Sequence, residues 1–194
     1  FNGLGQLVTE YQEHGGAVNT STSLKVQYAY SEMAGGANHS RLSSVTYPNG
    51  KVLTSNYASG LNDDISRLSS LTDTSGTLES YDYLGLGTVV RRSHPQPGVD
   101  LTYIKQSGES VGDAGDQYTG LDRFGRVVDQ RWRKSDGSHT DRFAYSYDRN
   151  SNRTSRDNLL NANFDEVYSY DGLNQLTGFE RGTHTRDWDY DALG

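Results

Sequence analysis

The side chains with chemical reach are five histidines, a few carboxylate clusters and the stretches where aromatics meet arginine. His14, His39, His94, His139 and His184 are scattered, with no His-x-x-x-His pair and no facial-triad spacing for a metal. They read as ordinary strand or turn histidines. Asn62-Asp63-Asp64 and Asp113-Ala114-Gly115-Asp116 offer the oxygen donors that Ca²⁺ gathers. Neither follows the EF-hand loop or the Gly-rich nonapeptide of calcium β-rolls, so both read as solvated turns. Asp165, Glu166 and Asp187 are carboxylates with nothing to fix the separation that glycoside hydrolysis requires. Serine is abundant, yet no Gly-x-Ser-x-Gly elbow occurs. Asn19-Thr20-Ser21, Asn38-His39-Ser40 and Asn152-Arg153-Thr154 match the glycosylation sequon, at a frequency expected in so Asn/Ser/Thr-rich a chain.

Two binding chemistries suit the aromatic and basic side chains. Tyr and Trp present a flat apolar face with a polar handle, suited to stacking on sugar rings, but the same rings at a strict period of two suit the packed face of a sheet better. Arg131-Trp132-Arg133-Lys134 is a lone basic-aromatic cluster. On a strand it divides Arg131 and Arg133 from Trp132 and Lys134. No catalytic residue, cofactor site or metal site emerges, and a non-enzymatic chain is expected.

Composition narrows the classes further. With no Cys among 194 residues, disulfides and thiol-based metal sites are excluded. No apolar run is long enough for a membrane-spanning helix. A net charge of −7 disfavours nucleic acid and anionic membranes as partners, because phosphate binding needs an electropositive face. Leu, Val, Phe and Ile make up 37 of the 194 residues, a low share, but 14 Tyr and 2 Trp accompany them. The packed face must therefore be aromatic rather than aliphatic.

The elements that position these residues repeat. The chain opens Phe1-Asn2-Gly3-Leu4-Gly5 and closes Tyr190-Asp191-Ala192-Leu193-Gly194. Tyr147-Asp148-Arg149-Asn150-Ser151-Asn152-Arg153 and Tyr170-Asp171-Gly172-Leu173-Asn174-Gln175-Leu176 lie between, with looser copies at Tyr83–Gly87 and Tyr118–Val127, the latter reaching Gly125. The pattern is an aromatic, Asp, two variable residues, then Gly or Asn. Tyr28/Tyr30, Tyr81/Tyr83, Tyr145/Tyr147, Tyr168/Tyr170 and Trp188/Tyr190 place two rings on one strand face. Turn signals at Pro48-Asn49-Gly50, Ser75-Gly76, Pro97-Gly98, Asp136-Gly137 and Arg181-Gly182 separate the strands. Hairpins are expected over Arg41–Tyr47 with Lys51–Tyr57, Arg67–Thr72 with Thr77–Tyr83, and Arg126–Lys134 with His139–Asp148. The Tyr-Asp-x-x-Gly element is the turn joining one hairpin to the next, its Asp accepting backbone N–H groups and its Gly or Asn taking positive φ. No segment carries a sustained, capped helical period.

The expected fold is all-β: repeated antiparallel β-hairpins in a spirally wound, solenoid-like sheet. Residues 1–194 form a single array of about seven to eight repeats, with tolerated insertions near 31–40 and 107–117. Neither end shows a polar capping unit, and both fall at the same point of the repeat, so an internal slice of something larger is expected.

The strings at 147–154, 170–176 and 120–126 resemble the YD repeats of the Rhs family, most strongly from 118 to 194 and more loosely from 1 to 117. The resemblance implies a long antiparallel sheet wound into a hollow shell. In bacteria such shells enclose a C-terminal toxin and belong to secreted or surface-displayed proteins; in animal teneurins a related barrel serves adhesion. The lack of Cys makes the bacterial branch the better match. The family's self-cleavage segment contains an Asp-Pro-x-Gly-Leu string, whereas Pro48, Pro95 and Pro97 are the prolines here and none follows Asp. Protease and toxin activities are therefore carried onto no residue. The expected partners are adjacent repeats and an enclosed toxin domain or surface glycans; an extended fibre or adhesin binding carbohydrate or neighbouring cells is the other expectation.

Overall fold

The computed structural model describes residues 1–31, 40–110 and 115–191. His39, the sequon ending at Ser40, Asp113 and Gly194 therefore lie wholly or partly outside the described residues. The chain forms two compact units, Phe1–Pro97 and Gly98–Gly194.

The first unit holds β1 (Thr9–Gln12), β2 (Leu24–Tyr30), β3 (Leu42–Thr46), β4 (Val52–Asn56), β5 (Ser70–Asp73), β6 (Gly76–Leu84) and β7 (Thr88–His94). Each pairs antiparallel with the next, as at Glu10↔Val26, Tyr28↔Val45, Val45↔Leu53, Ser55↔Leu71, Leu71↔Glu79 and Tyr81↔Arg92. A single helical turn, α1 (Leu61–Asp64), interrupts the join between β4 and β5 and has no side-chain cap.

The second unit repeats the plan with β8 (Val99–Thr102), β9 (Asp129–Lys134), β10 (His139–Tyr147), β11 (Arg153–Asn158), β12 (Glu166–Tyr170), β13 (Leu176–Arg181) and β14 (His184–Asp187). Its register includes Leu101↔Trp132, Phe143↔Gln130, Tyr145↔Arg156, Arg156↔Glu166, Tyr168↔Phe179 and Phe179↔Arg186. The expected all-β class and the run of antiparallel hairpins are both present. Trp188 and Tyr190 differ from expectation by lying beyond the end of β14.

Alternation explains why these stretches are strands: Phe143, Tyr145 and Tyr147 share one face of β10, and Tyr81 and Tyr83 share one face of β6. A register shift falls just before the last aromatic in four strands, between Ala29/Tyr30, Asp82/Tyr83, Ser146/Tyr147 and Ser169/Tyr170. Such a bulge re-aims a side chain and sharpens local twist.

Apolar burial is slight. Among the described residues Val90 alone is a buried apolar side chain, while Arg131 and Glu166 are buried charges. The packed faces consist of half-buried rings and arginine planes, as the poverty in aliphatics requires.

Candidate functional site

The recurring turn builds the rest. Asp122 Oδ1 accepts from the backbone N–H of Phe124 and of Arg126, both at 2.9 Å. The backbone closes the same loop, Asp122 N–H to the Arg126 carbonyl and Gly125 N–H to the Asp122 carbonyl, each 2.9 Å. Asp148 repeats this with Asn150 and Asn152, Asp171 with Leu173 and Gln175, and Asn2 with Leu4 and Gln6. In every copy the third residue past the acceptor has positive φ: Gly5 75°, Gly125 76°, Ser151 71° and Asn174 64°. Burial opposes ionisation at Asp122, but bonds from Arg126 and the Phe124 N–H outweigh it and hold the carboxyl below its usual range. At Asp148 the Asn152 amide leads the same downward effect.

Hairpin mouths are closed by tyrosine hydroxyls, beside each of these turns and at two further joins of the first unit. Tyr30 donates to the Leu7 carbonyl at 3.0 Å, Tyr57 to Leu42 at 3.0 Å and Tyr83 to Leu68 at 2.7 Å. In the second unit Tyr147 donates to Val127 at 2.8 Å, Tyr170 to Arg153 at 3.0 Å and Tyr190 to Leu176 at 2.7 Å. The residue before the accepting carbonyl is an arginine in three cases, and its guanidinium lies over the same ring: Arg41 over Tyr57 at 4.4 Å, Arg67 over Tyr83 at 4.3 Å, Arg126 over Tyr147 at 4.6 Å. These arginines also reach the next join. Arg41 bonds the Asp63 carboxylate and carbonyl, Arg67 the Gly85 carbonyl, and Arg126 the Ser151 hydroxyl. Asn174 accepts from the amides of Asn150 and Asn152, tying the last two joins together.

The sequence pattern places its residues unevenly on this geometry. Tyr83, Tyr147, Tyr170 and Tyr190 close hairpin mouths, and Gly5, Gly125 and Asn174 occupy the positive-φ seat. Three placements need correction. At 147–153 the seat belongs to Ser151, while Asn152 instead bonds the second oxygen of Asp148 at 2.9 Å. At 83–87 the positive φ of 60° is at Gly85 and not at Gly87, because Leu84↔Thr88 leaves a three-residue loop. At 118–127 the residue preceding the turn acid is Leu121, and Tyr118 lies in the loop before it, where its N–H bonds Asp116. Phe1 precedes Asn2 but is 82% exposed, and Asp191 follows Tyr190 at the end of the described residues. Arg41, Arg67 and Arg126 are absent from the expected motif, although the recurring Arg-Leu and Arg-Val pairs at 41–42, 67–68 and 126–127 announce them.

The second unit also buries an ion cluster. Arg131, 3% exposed, binds Asp129 Oδ2 at 2.7 Å, Glu109 Oε2 at 3.0 Å and the Ile104 carbonyl at 3.1 Å. Arg142 shares Asp129, with Nη2 2.6 Å from Oδ2. Desolvation pushes the Asp129 carboxyl up, and Arg142 and Arg131 more than reverse that. The described part of the insertion near 107–117 thus contributes Glu109 to β9. Across the sheet, buried Glu166 receives Arg156 at 2.7 Å and the Tyr168 hydroxyl, while Arg153 lies over the Tyr168 ring at 4.8 Å.

Among the described residues no group of three His, Asp or Glu side chains gathers to hold a metal. Glu166 faces arginines, not a second carboxylate. No helix among them is long and apolar enough to cross a membrane.

Against known proteins, no family model matches the chain and no curated protein matches it. Solved structures do match in fold. The Tc holotoxin pore of Photorhabdus luminescens, in a TccC3 mutant, aligns over 85% of the chain at 17% identity with a TM-score of 0.57. A TcdB2–TccC3 complex aligns over 92% at 16% identity and a TM-score of 0.59, and another over 82% at 17% and 0.55. The chain spans only 7% to 9% of the length of those chains.

Proposed function

We propose that this chain is a non-enzymatic length of wall in a larger, secreted bacterial Rhs-type shell that encloses a toxin domain. One observation carries the reading: the same join, an Asx turn followed by a tyrosine-closed hairpin mouth, stands at Asn2–Gln6 in the first unit and recurs at 122–126, 148–152 and 171–175 in the second, where it links successive hairpins. Such nearest-neighbour construction extends without limit and needs no central core, which suits a wall. The fold shared with TccC3-containing toxin structures supports the same role. The array of about seven to eight repeats belongs to this proposal, as does contact with adjacent repeats of the same chain.

Electron microscopy of the intact parent particle tests it. A closed hollow particle with internal density is expected. A filament of constant width would replace the shell with an extended fibre.

A further inference from the structure

The turn at 122–126 carries an unusual balance of side chains. Phe124 is 71% exposed although its N–H is fixed on Asp122. The guanidinium carbons of Arg123 and Arg126 lie 5.6 Å and 5.1 Å from its ring centre. Beside it opens a cleft of about 320 Å³ between Phe124, Arg126, Tyr147, Asp148, Arg149 and Ser151.

The carboxylates at this cleft are already engaged. Asp122 holds Arg126 at 2.7 Å along with two turn N–H groups. Asp148 holds the Asn152 amide and two more N–H groups. Arg123 and Arg149 are both exposed, and among the described residues neither has a carboxylate partner. The cleft and the Phe124 ring at its edge therefore offer two cations, Arg149 in the lining and Arg123 against the ring, and two aromatic surfaces in a chain of net charge −7. A divalent cation is repelled there, and a neutral apolar ligand leaves both guanidinium groups unused. A nucleic acid needs a basic track that the acidic surroundings do not extend.

We propose that this cleft docks an acidic polypeptide segment bearing an aromatic residue. Carboxylates of the segment pair with Arg123 and Arg149, and its ring packs against Phe124 and the Tyr147 mouth. The inference stands apart from the shell reading and neither requires it nor falls with it.

The test titrates the full 194-residue chain into a fluorescent acetyl-Asp-Trp-Asp-Tyr-Asp-amide probe and follows anisotropy. Saturable, salt-sensitive binding is expected, with the Asn-for-Asp version of the peptide about tenfold weaker. Arg123→Ala and Arg149→Ala should each weaken binding about threefold and the pair about tenfold, the scale of exposed ion pairs combined. Neither side chain holds the fold, and circular dichroism of the double variant checks that. Absence of binding, equal binding of the neutral peptide, an unaffected double variant, or tighter binding of a single-stranded oligonucleotide would each overturn the proposal.

Discussion

The Tyr147 hydroxyl donates a 2.8 Å hydrogen bond to the Val127 carbonyl, joining the last residue of β10 to the residue that precedes β9 by two positions. The guanidinium of Arg126, bonded to Asp122 in the turn before, lies over the same ring and reaches Ser151 in the turn after. One tyrosine and one arginine thus tie a hairpin mouth to the joins on both sides. In a sheet whose apolar burial is so slight, these polar ties carry much of the unit's cohesion.

Tyr147→Phe keeps the ring over Arg126 and removes only the hydroxyl. Losing one partly buried bond costs about 1 kcal/mol. Urea unfolding should show that loss with an unchanged slope. Tyr190→Phe, where the ring is 43% exposed, should cost less than half as much. Equal losses at both sites would argue against the burial of the Tyr147 bond.

Two glycines of one segment should respond differently to alanine. At Gly120 an added Cβ would sit 2.6 Å from the Asp129 carbonyl and 2.7 Å from the Tyr103 Cα, backbone that cannot yield. Gly120→Ala should therefore cost roughly 3 kcal/mol by overpacking. At Gly125 nothing lies within 4 Å and only the φ of +76° objects, so Gly125→Ala should cost about 1–2 kcal/mol. Thermal unfolding of the two variants ranks them.

Much of this architecture was legible because it is local. The Tyr-x-Tyr alternation announces strands, and an acid three residues before Gly125 or Asn174 announces the turn. Ser151 escaped because serine carries no left-handed signature; the neighbouring Asn152 does and drew the assignment. The role of Glu109 was illegible for another reason. Its partner Arg131 is 22 residues away in sequence, and the burial of that arginine depends on a loop folding back over β9.

Ser66 is a position where the chain works against itself. Its φ is +56°, and its hydroxyl is buried with no hydrogen-bond partner. Glycine removes both penalties. Ser66→Gly should raise stability by about 1 kcal/mol, net of the greater freedom glycine has when unfolded. A shift of the urea midpoint to higher concentration checks it, and a shift the other way refutes the strain argument.

Arg131→Met tests the buried ion cluster. It leaves Asp129 with Arg142 and strips Glu109 of its cation. Removing one member of a buried network costs about 3–5 kcal/mol. Limited proteolysis should then cut near Glu109 before it cuts the strands. Glu109→Gln keeps a hydrogen-bond acceptor for Arg131 and should show much milder cleavage.

The pH dependence follows from the direction of each shift. His139 is held below its ordinary 6.5, first by burial and then by Arg142, Arg133 and Arg131. A depressed folded value means its contribution is present above pH 6.5 and is lost as pH falls through the lower folded value. Asp129 and Asp122 are depressed below 3.8, so theirs is lost only at still lower pH. On the alkaline side Tyr81 is pushed up to about 12, by burial first and then by its bond to Glu79. A raised value works in reverse: its contribution is complete below pH 10 and disappears as pH rises towards 12. Stability measured by urea unfolding should therefore be flat from about pH 7 to 10, decline gently below and fall more steeply above. His139→Gln should carry the flat region further into acid and leave the alkaline limb unchanged. If the acid limb of that variant matches the parent, the early loss belongs to the carboxylates and not to His139.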